Sequence, residues 1–240
     1  MKPIKKIVLG TMKLRKYFAN SNELSKFLDY AHKKGIRQFH VSNEYNSYNL
    51  LIKSLKKINS KKFTIILKLA EPKTDKLRFN LNRFKEKIYK YRKDLGERHT
   101  YIVQLVNRYK CNEPEKYLTY EQKVFDTIQN TIIKLKKINV IKSFYFFPYY
   151  KNINININKK YTFINGITIY RNLYEKQNDY YAKKNNYNII AMRTLGGSKK
   201  ILTKNNLKKL VMFNLNSKLV RMVIVGTNNK MQLDQLIKIC

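Results

Sequence analysis

Tryptophan is absent from this 240-residue chain, and proline and glycine are scarce, at four and seven residues. So little of either leaves no room for long Pro/Gly linkers. Cysteine is nearly missing too. Cys111 and Cys240 lie far apart and fit neither metal-ligand nor disulfide spacing, so both read as ordinary thiols in a reducing compartment. No stretch approaches the roughly 18 continuous apolar residues of a membrane span. Behind the basic start, the apolar run Ile7-Val8-Leu9 is too short for a secretory leader. The expectation is a cytoplasmic protein without a membrane segment or a metal site.

Acidic residues are few as well: 15 Asp and Glu stand against 51 Lys and Arg, a formal charge of +36. Such a balance is the electrostatic footprint of polyanion binding. However, Asn, Ile, Tyr and Phe are enriched alongside Lys, and all share AT-rich codons, so base composition can raise Lys without selection for a partner. The lysines are also spread over nearly every segment instead of one stripe, and no nucleic-acid recognition motif is present. Both explanations remain open, and either implies non-specific adhesion to nucleic acid at low salt.

What is present is a hydrophobic fraction of 43%, enough for a sizeable core, and an alternation without a compositional break, which reads as one domain over residues 1–240. Short apolar runs at 4–9, 36–41, 63–69, 101–106, 140–147, 161–170, 187–192 and 220–225 predict eight strands. Amphipathic stretches predict helices at 22–34, around Leu50 to Ile58, and at 76–95, 120–138, 173–185, 205–215 and 230–239. Ser21 or Asn22 is the expected cap of the first helix, and Gly35 its C′ residue. Eight strands alternating with helices predict an α/β fold with a parallel sheet closed into a (β/α)8 TIM barrel. After strand five the connection is thin. The period-two run from Asn152 to Asn158 predicts a shortened or irregular crossover there.

In such barrels chemistry sits at the C-terminal strand ends. Those ends deliver His40 and, just beyond, Tyr45 from strand two, Lys68 from strand three, Asn107 from strand four, and Phe147 from strand five. Strand seven runs into Leu195-Gly196-Gly197-Ser198, and strand eight into Gly226-Thr227-Asn228-Asn229-Lys230. Loops after the last two strands commonly hold phosphate, because glycine lets the backbone approach and a helix N-terminus offers free N–H groups. His32 is expected on a solvated helix face and His99 at the opposite rim.

Several segments together resemble the aldo-keto reductases. They are Leu9-Gly10-Thr11-Met12, the stretch from Ala31-His32-Lys33-Lys34-Gly35-Ile36-Arg37 through His40-Val41-Ser42-Asn43-Glu44-Tyr45, Ile65-Ile66-Leu67-Lys68, the segment Ile189 to Gly197, and Val225-Gly226-Thr227 with Gln232-Leu233-Asp234. The likeness spans essentially the whole chain. It implies carbonyl reduction with hydride from NADPH, an aldehyde or ketone (sugar-like substrates included) as the small-molecule partner, and an Asp, Tyr, Lys, His tetrad. Tyr45 falls at the tyrosine position as proton donor and Lys68 at the lysine position that tunes it. His40 stands where the family has Asp, and Asn107 where it has His. A neutral His40 removes the carboxylate that would hold Lys68, while Asn107 can still donate an N–H to a carbonyl oxygen.

The resemblance assigns cofactor anchoring to Gly196, Gly197, Thr227, Asn228, Lys230 and Asp234. The residues around the nicotinamide depart from the family: Phe147-Pro148 replaces a Ser-Asn pair, Ile167 a glutamine, and Met192 an aromatic. Two functions follow, an NADP-dependent oxidoreductase or a barrel that has lost redox chemistry and binds or regulates.

Overall fold

The computed structural model describes residues 3–71, 79–108, 113–147, 160–176, 179–184, 186–196, 204–227 and 229–240. Its strands are β1 (Ile7–Gly10), β2 (Gln38–Val41), β3 (Thr64–Ala70), β4 (Thr100–Val106), β5 (Ser143–Phe147), β6 (Gly166–Asn172), β7 (Glu175–Lys176), β8 (Asn188–Met192) and β9 (Val220–Val225). All but β7 are parallel members of one ring. β1 pairs with both β2 and β9, and β5 pairs with β6, so the sheet closes as an eight-stranded barrel. The short β7 folds back antiparallel on β6.

Helices clothe the ring: α1 (Leu14–Tyr17), α2 (Ser21–Lys33), α3 (Tyr48–Lys57), α4 (Leu81–Leu95), α5 (Pro114–Lys137), α6 (Asp179–Lys184), α7 (Lys204–Leu215) and α8 (Lys230–Ile239). Among the described residues no helix is long and apolar enough to cross a membrane. The period-two run from Asn152 to Asn158, and Pro148, lie outside the described residues.

Two apolar layers explain why the strands read as continuous hydrophobic runs: each strand is covered on both faces. Ile65, Leu67, Val103, Leu105, Phe144 and Phe146 point outward into the layer shared with the helices. Val8, Ile66, Ile102, Tyr145, Ile190, Met222 and Ile224 fill the barrel interior. Gly166 makes room for that plug. A Cβ there would sit 2.0 Å from the Asn188 carbonyl oxygen and 2.7 Å from the Tyr145 ring.

Local chemistry moves several boundaries. The cap of α2 is Asn20, not Ser21 or Asn22: its Oδ1 accepts from the backbone N–H of Asn22 and Glu23, while Glu23 reaches back to the N–H of Ala19. Gly35 follows the helix at φ +92°, as a C′ glycine should. The first strand is shorter than expected because Pro3–Lys6 forms a 3-10 turn. Helix α5 begins six residues early, at Pro114, a residue suited to the first helical position. The helix expected at 173–185 is a correction. Asn172 Oδ1 accepts from the N–H of Tyr174, which turns the chain into the β6–β7 hairpin, and only Asp179–Lys184 is helical.

Candidate active site at the barrel mouth

Inside the barrel the lining changes from apolar to polar toward the C-terminal strand ends. Successive inward positions on β3 are Ile66 and Lys68, and on β4 Ile102 and Gln104, with Lys68 and Gln104 side by side in register. His40 lies beside Ile66. Thr168 shares the face of Ile190 and is fully buried. This face, at the mouth, collects His40, Lys68 and Gln104, with Tyr45 and Glu44 from the β2 loop and Asn107 and Arg108 just past β4.

His40 is 2% exposed, and its Nε2 lies 2.6 Å from Gln104 Oε1. That oxygen can only accept, so Nε2 carries the proton and Nδ1 is left with its lone pair. The Tyr45 hydroxyl, 3.4 Å from Nδ1, is then the donor of that longer contact. Burial pushes the His40 pKa down to about 4, with Lys68 adding to the effect and the Gln104 bond opposing it. The imidazole is therefore neutral near pH 7. Burial also holds the Tyr45 phenol well above its ordinary range, helped by Tyr91, Glu44 and Tyr170.

Lys68 is not left without a carboxylate, contrary to what His40 at the aspartate position implied. Its Nζ lies 3.4 Å from Glu44 Oε2 and 5.6 Å from the centre of the Tyr45 ring. Arg108 grips the same carboxylate in bidentate fashion, at 2.6 and 2.7 Å. Burial disfavours the charged Glu44, but its bonds and charge contacts with Arg108 and Lys68 outweigh that and keep its pKa low. Burial depresses the pKa of Lys68, Arg108 adds to the depression, and Glu44 opposes it. Asn107 is buried directly after β4. So the four predicted residues come to the same rim.

Sequence reading missed Glu44, Gln104, Arg108 and Thr168. Gln104 carried a signal, a polar residue inside the apolar strand Tyr101-Ile102-Val103-Gln104-Leu105-Val106. Ile167, aligned with the family glutamine, points outward into the helix-covered layer. Its neighbour Thr168 faces the interior, and among the described residues its hydroxyl has no partner.

On the other side of the ring, the loop after β8 turns at Arg193 (φ +51°) and Gly196 (φ +78°), closed by Gly196 N–H donating to the Arg193 carbonyl. Arg193 stacks over Tyr170, its Cζ 3.8 Å from the ring centre. Thr194 and Thr227, after β8 and β9, are buried, and among the described residues their hydroxyls have no partner. Buried hydroxyls of that kind are costly unless a ligand or water meets them, so these loops fit a polar, phosphate-bearing group. Gly197 and Asn228 lie outside the described residues.

At α8, Asn229 caps the helix by accepting from Gln232 N–H. Asp234 accepts a hydrogen bond from Tyr30 at 2.7 Å, and the Lys230 and Lys34 ammonium groups lie 5.2 and 5.5 Å from the Tyr30 ring centre. The predicted anchors are thus split between the loop hydroxyls and this Tyr30-centred cluster on α2 and α8.

The other two histidines both pack against Phe63. His99 is buried at the start of β4, where Nδ1 accepts from the Phe63 N–H, at the end of the barrel opposite the mouth. His32 is half-buried edge-on against Phe63, a correction to the solvated face expected for it. Cys240 is half-buried, and burial pushes its thiol up to about 11. Among the described residues no His, Cys, Asp or Glu group could hold a metal. Open grooves on the α4–α5 flank, one lined by Glu86, Tyr89 and Lys134, gather no groups from strand ends.

No family model matches the sequence, and no curated protein matches it. Solved structures do. A Pseudomonas aeruginosa protein provisionally assigned as an aldo-keto reductase superposes with a TM-score of 0.73 at 16% identity, covering 98% of this chain and 89% of that one. An aldo-keto reductase from Bacillus halodurans, in its holo form, gives 0.70 at 12% identity, with coverages of 98% and 86%. One from Klebsiella pneumoniae, in complex with NADPH, gives 0.65 at 9%, with 98% and 84%. At such identities the likeness is one of fold: this chain has the barrel of the aldo-keto reductases.

Proposed function

We propose that the chain is an NADP-dependent oxidoreductase of the aldo-keto reductase type, reducing an aldehyde or ketone with Tyr45 as proton donor. The observation that carries this reading is the convergence of His40 and Tyr45, from β2 and its loop, with Lys68 from β3, across the mouth from loops whose buried hydroxyls meet no partner among the described residues. NADPH, when bound, supplies the hydride that reaches the carbonyl carbon. Thr194, Thr227 and Gly196 would hold its phosphates, and Lys230 with Asp234 its adenosine end; Gly197 and Asn228 complete that proposed set.

Tyr45 gives its hydroxyl proton to the carbonyl oxygen, so that the product is an alcohol, and the phenolate regains a proton from solvent. Lys68, beside the Tyr45 ring, favours that phenolate electrostatically. Glu44 does for Lys68 what a carboxylate at residue 40 would have done. Asn107 presents an amide N–H that can polarise the carbonyl without titrating.

One observation favours a second reading, a barrel that binds without reducing: the Tyr45 hydroxyl lies 3.4 Å from His40 Nδ1, an acceptor that competes for its proton. Both readings are tested by NADPH binding at moderate salt, with ATP and inorganic polyphosphate as charge controls, followed by NADPH consumption with a panel of aldehydes. Selective binding with consumption supports the reductase. Selective binding without consumption supports the second reading, and equal responses to every polyanion remove both cofactor-based accounts.

A further inference from the structure

We infer that the mouth selects carbonyl compounds that also carry a negative group, a carboxylate or a phosphate, met by Arg108 and Lys68. This deepens the reductase reading and rests on it for the site, though not for the binding.

Two cations share one carboxylate at the mouth. Both Glu44 oxygens are taken by Arg108, and Lys68 shares one of them. Among the described residues the cluster therefore keeps one uncompensated positive charge. Base composition can scatter lysines over a surface, but it does not account for cations withdrawn from solvent. The Arg108 and Lys68 side chains are only 24% and 18% exposed, while Glu44 is more exposed than either, at 39%. Partial desolvation penalises an ammonium or guanidinium that lacks its counter-charge. A ligand anion offsets that penalty, and the bidentate fork of Arg108 suits a planar carboxylate or a phosphate.

The position decides which molecule brings the anion. Arg108 and Lys68 arise from β3 and β4, next to Tyr45, whereas the hydroxyls proposed for the dinucleotide follow β8 and β9. An anion at Arg108 is thus attached to the substrate. Glu44 holds the two cations in place until that anion arrives and competes with it.

The test compares kcat/KM for 4-carboxybenzaldehyde against benzaldehyde, and for glyceraldehyde 3-phosphate against glyceraldehyde, at moderate salt. The first pair reads carboxylate preference and the second phosphate preference. Wild type should favour the anionic member of at least one pair by about tenfold. Arg108→Gln should remove most of that ratio. Glu44→Gln, by freeing both cations, should raise it, an outcome that damage to the fold cannot mimic. Lys123→Gln, an exposed lysine on α5, controls for net charge and should leave the ratio within about twofold.

Ratios near one for both pairs in wild type, or a ratio insensitive to Arg108 and Glu44, overturn the inference while leaving the reductase reading intact. If no aldehyde is turned over, that reading fails. Calorimetric binding of the same pairs then decides the inference by itself: tighter binding of the anionic member, weakened by Arg108→Gln, upholds it, and equal binding ends it.

Discussion

A single buried imidazole should make this barrel acid-labile in a way that one substitution can isolate. His40 is neutral in the fold with a pKa of about 4, against an ordinary 6.5. The unfolded chain therefore binds a proton that the native state refuses, and stability rises with pH across this window. The contribution is complete above pH 6.5 and disappears as pH falls through 4. Its full size is roughly 3 kcal/mol, at about 1.4 kcal/mol per pH unit. Linkage puts about 2 kcal/mol of that loss already at pH 5.

The perturbation is His40→Asn, which keeps an amide donor for Gln104 and removes the titration. Urea unfolding at pH 8 and pH 5 should show wild type losing about 2 kcal/mol more than the variant on acidification. His99, also held at about 4 by burial, acts with the same sign but is common to both proteins and cancels. Equal losses in the two proteins, or an NMR titration of the His40 ring near 6.5, would show that burial does not hold this imidazole neutral.

Other outcomes follow from the same structure. Glu121 is fully buried on α5, and burial lifts its carboxyl to about 8. The fold therefore favours the protonated form and loses stability as pH rises from about 4.5 toward 8. Glu121→Gln should raise the unfolding free energy at pH 8 by a few kcal/mol, and thermal melts at pH 5 should show that gain largely gone. Gly166→Ala places a methyl against the Asn188 carbonyl and the Tyr145 ring, so denaturant unfolding should report a loss of about 3 kcal/mol or more. Thr227→Val should leave the unliganded protein as stable or more so, yet weaken NADPH about fivefold in fluorescence titrations, since no group among the described residues satisfies that hydroxyl.

The barrel was legible because its strands are short apolar runs bounded by amphipathic stretches, and because a parallel sheet buried on both faces writes that pattern plainly. Where the reading slipped, a local hydrogen bond overrode periodicity. Asn172 bends the chain at Tyr174, and Asn20 rather than Ser21 caps α2. Tyr45 and Lys68 were found from strand-end position, which fixes which side chains can reach the mouth. Glu44 and Arg108 were not, because an ion pair between residues 64 positions apart leaves no trace in spacing. The role of His40 likewise depends on Gln104, a partner that periodicity marks only as an anomaly in β4.

Tyr45 as proton donor is tested by single-turnover oxidation of NADPH by an aldehyde, followed in wild type and in Tyr45→Phe at saturating cofactor. Rapid oxidation is expected in wild type and a rate lower by about a hundredfold or more in the variant, with NADPH affinity nearly unchanged. Equal rates in the two proteins, or no oxidation in wild type despite tight and selective NADPH binding, would contradict that role.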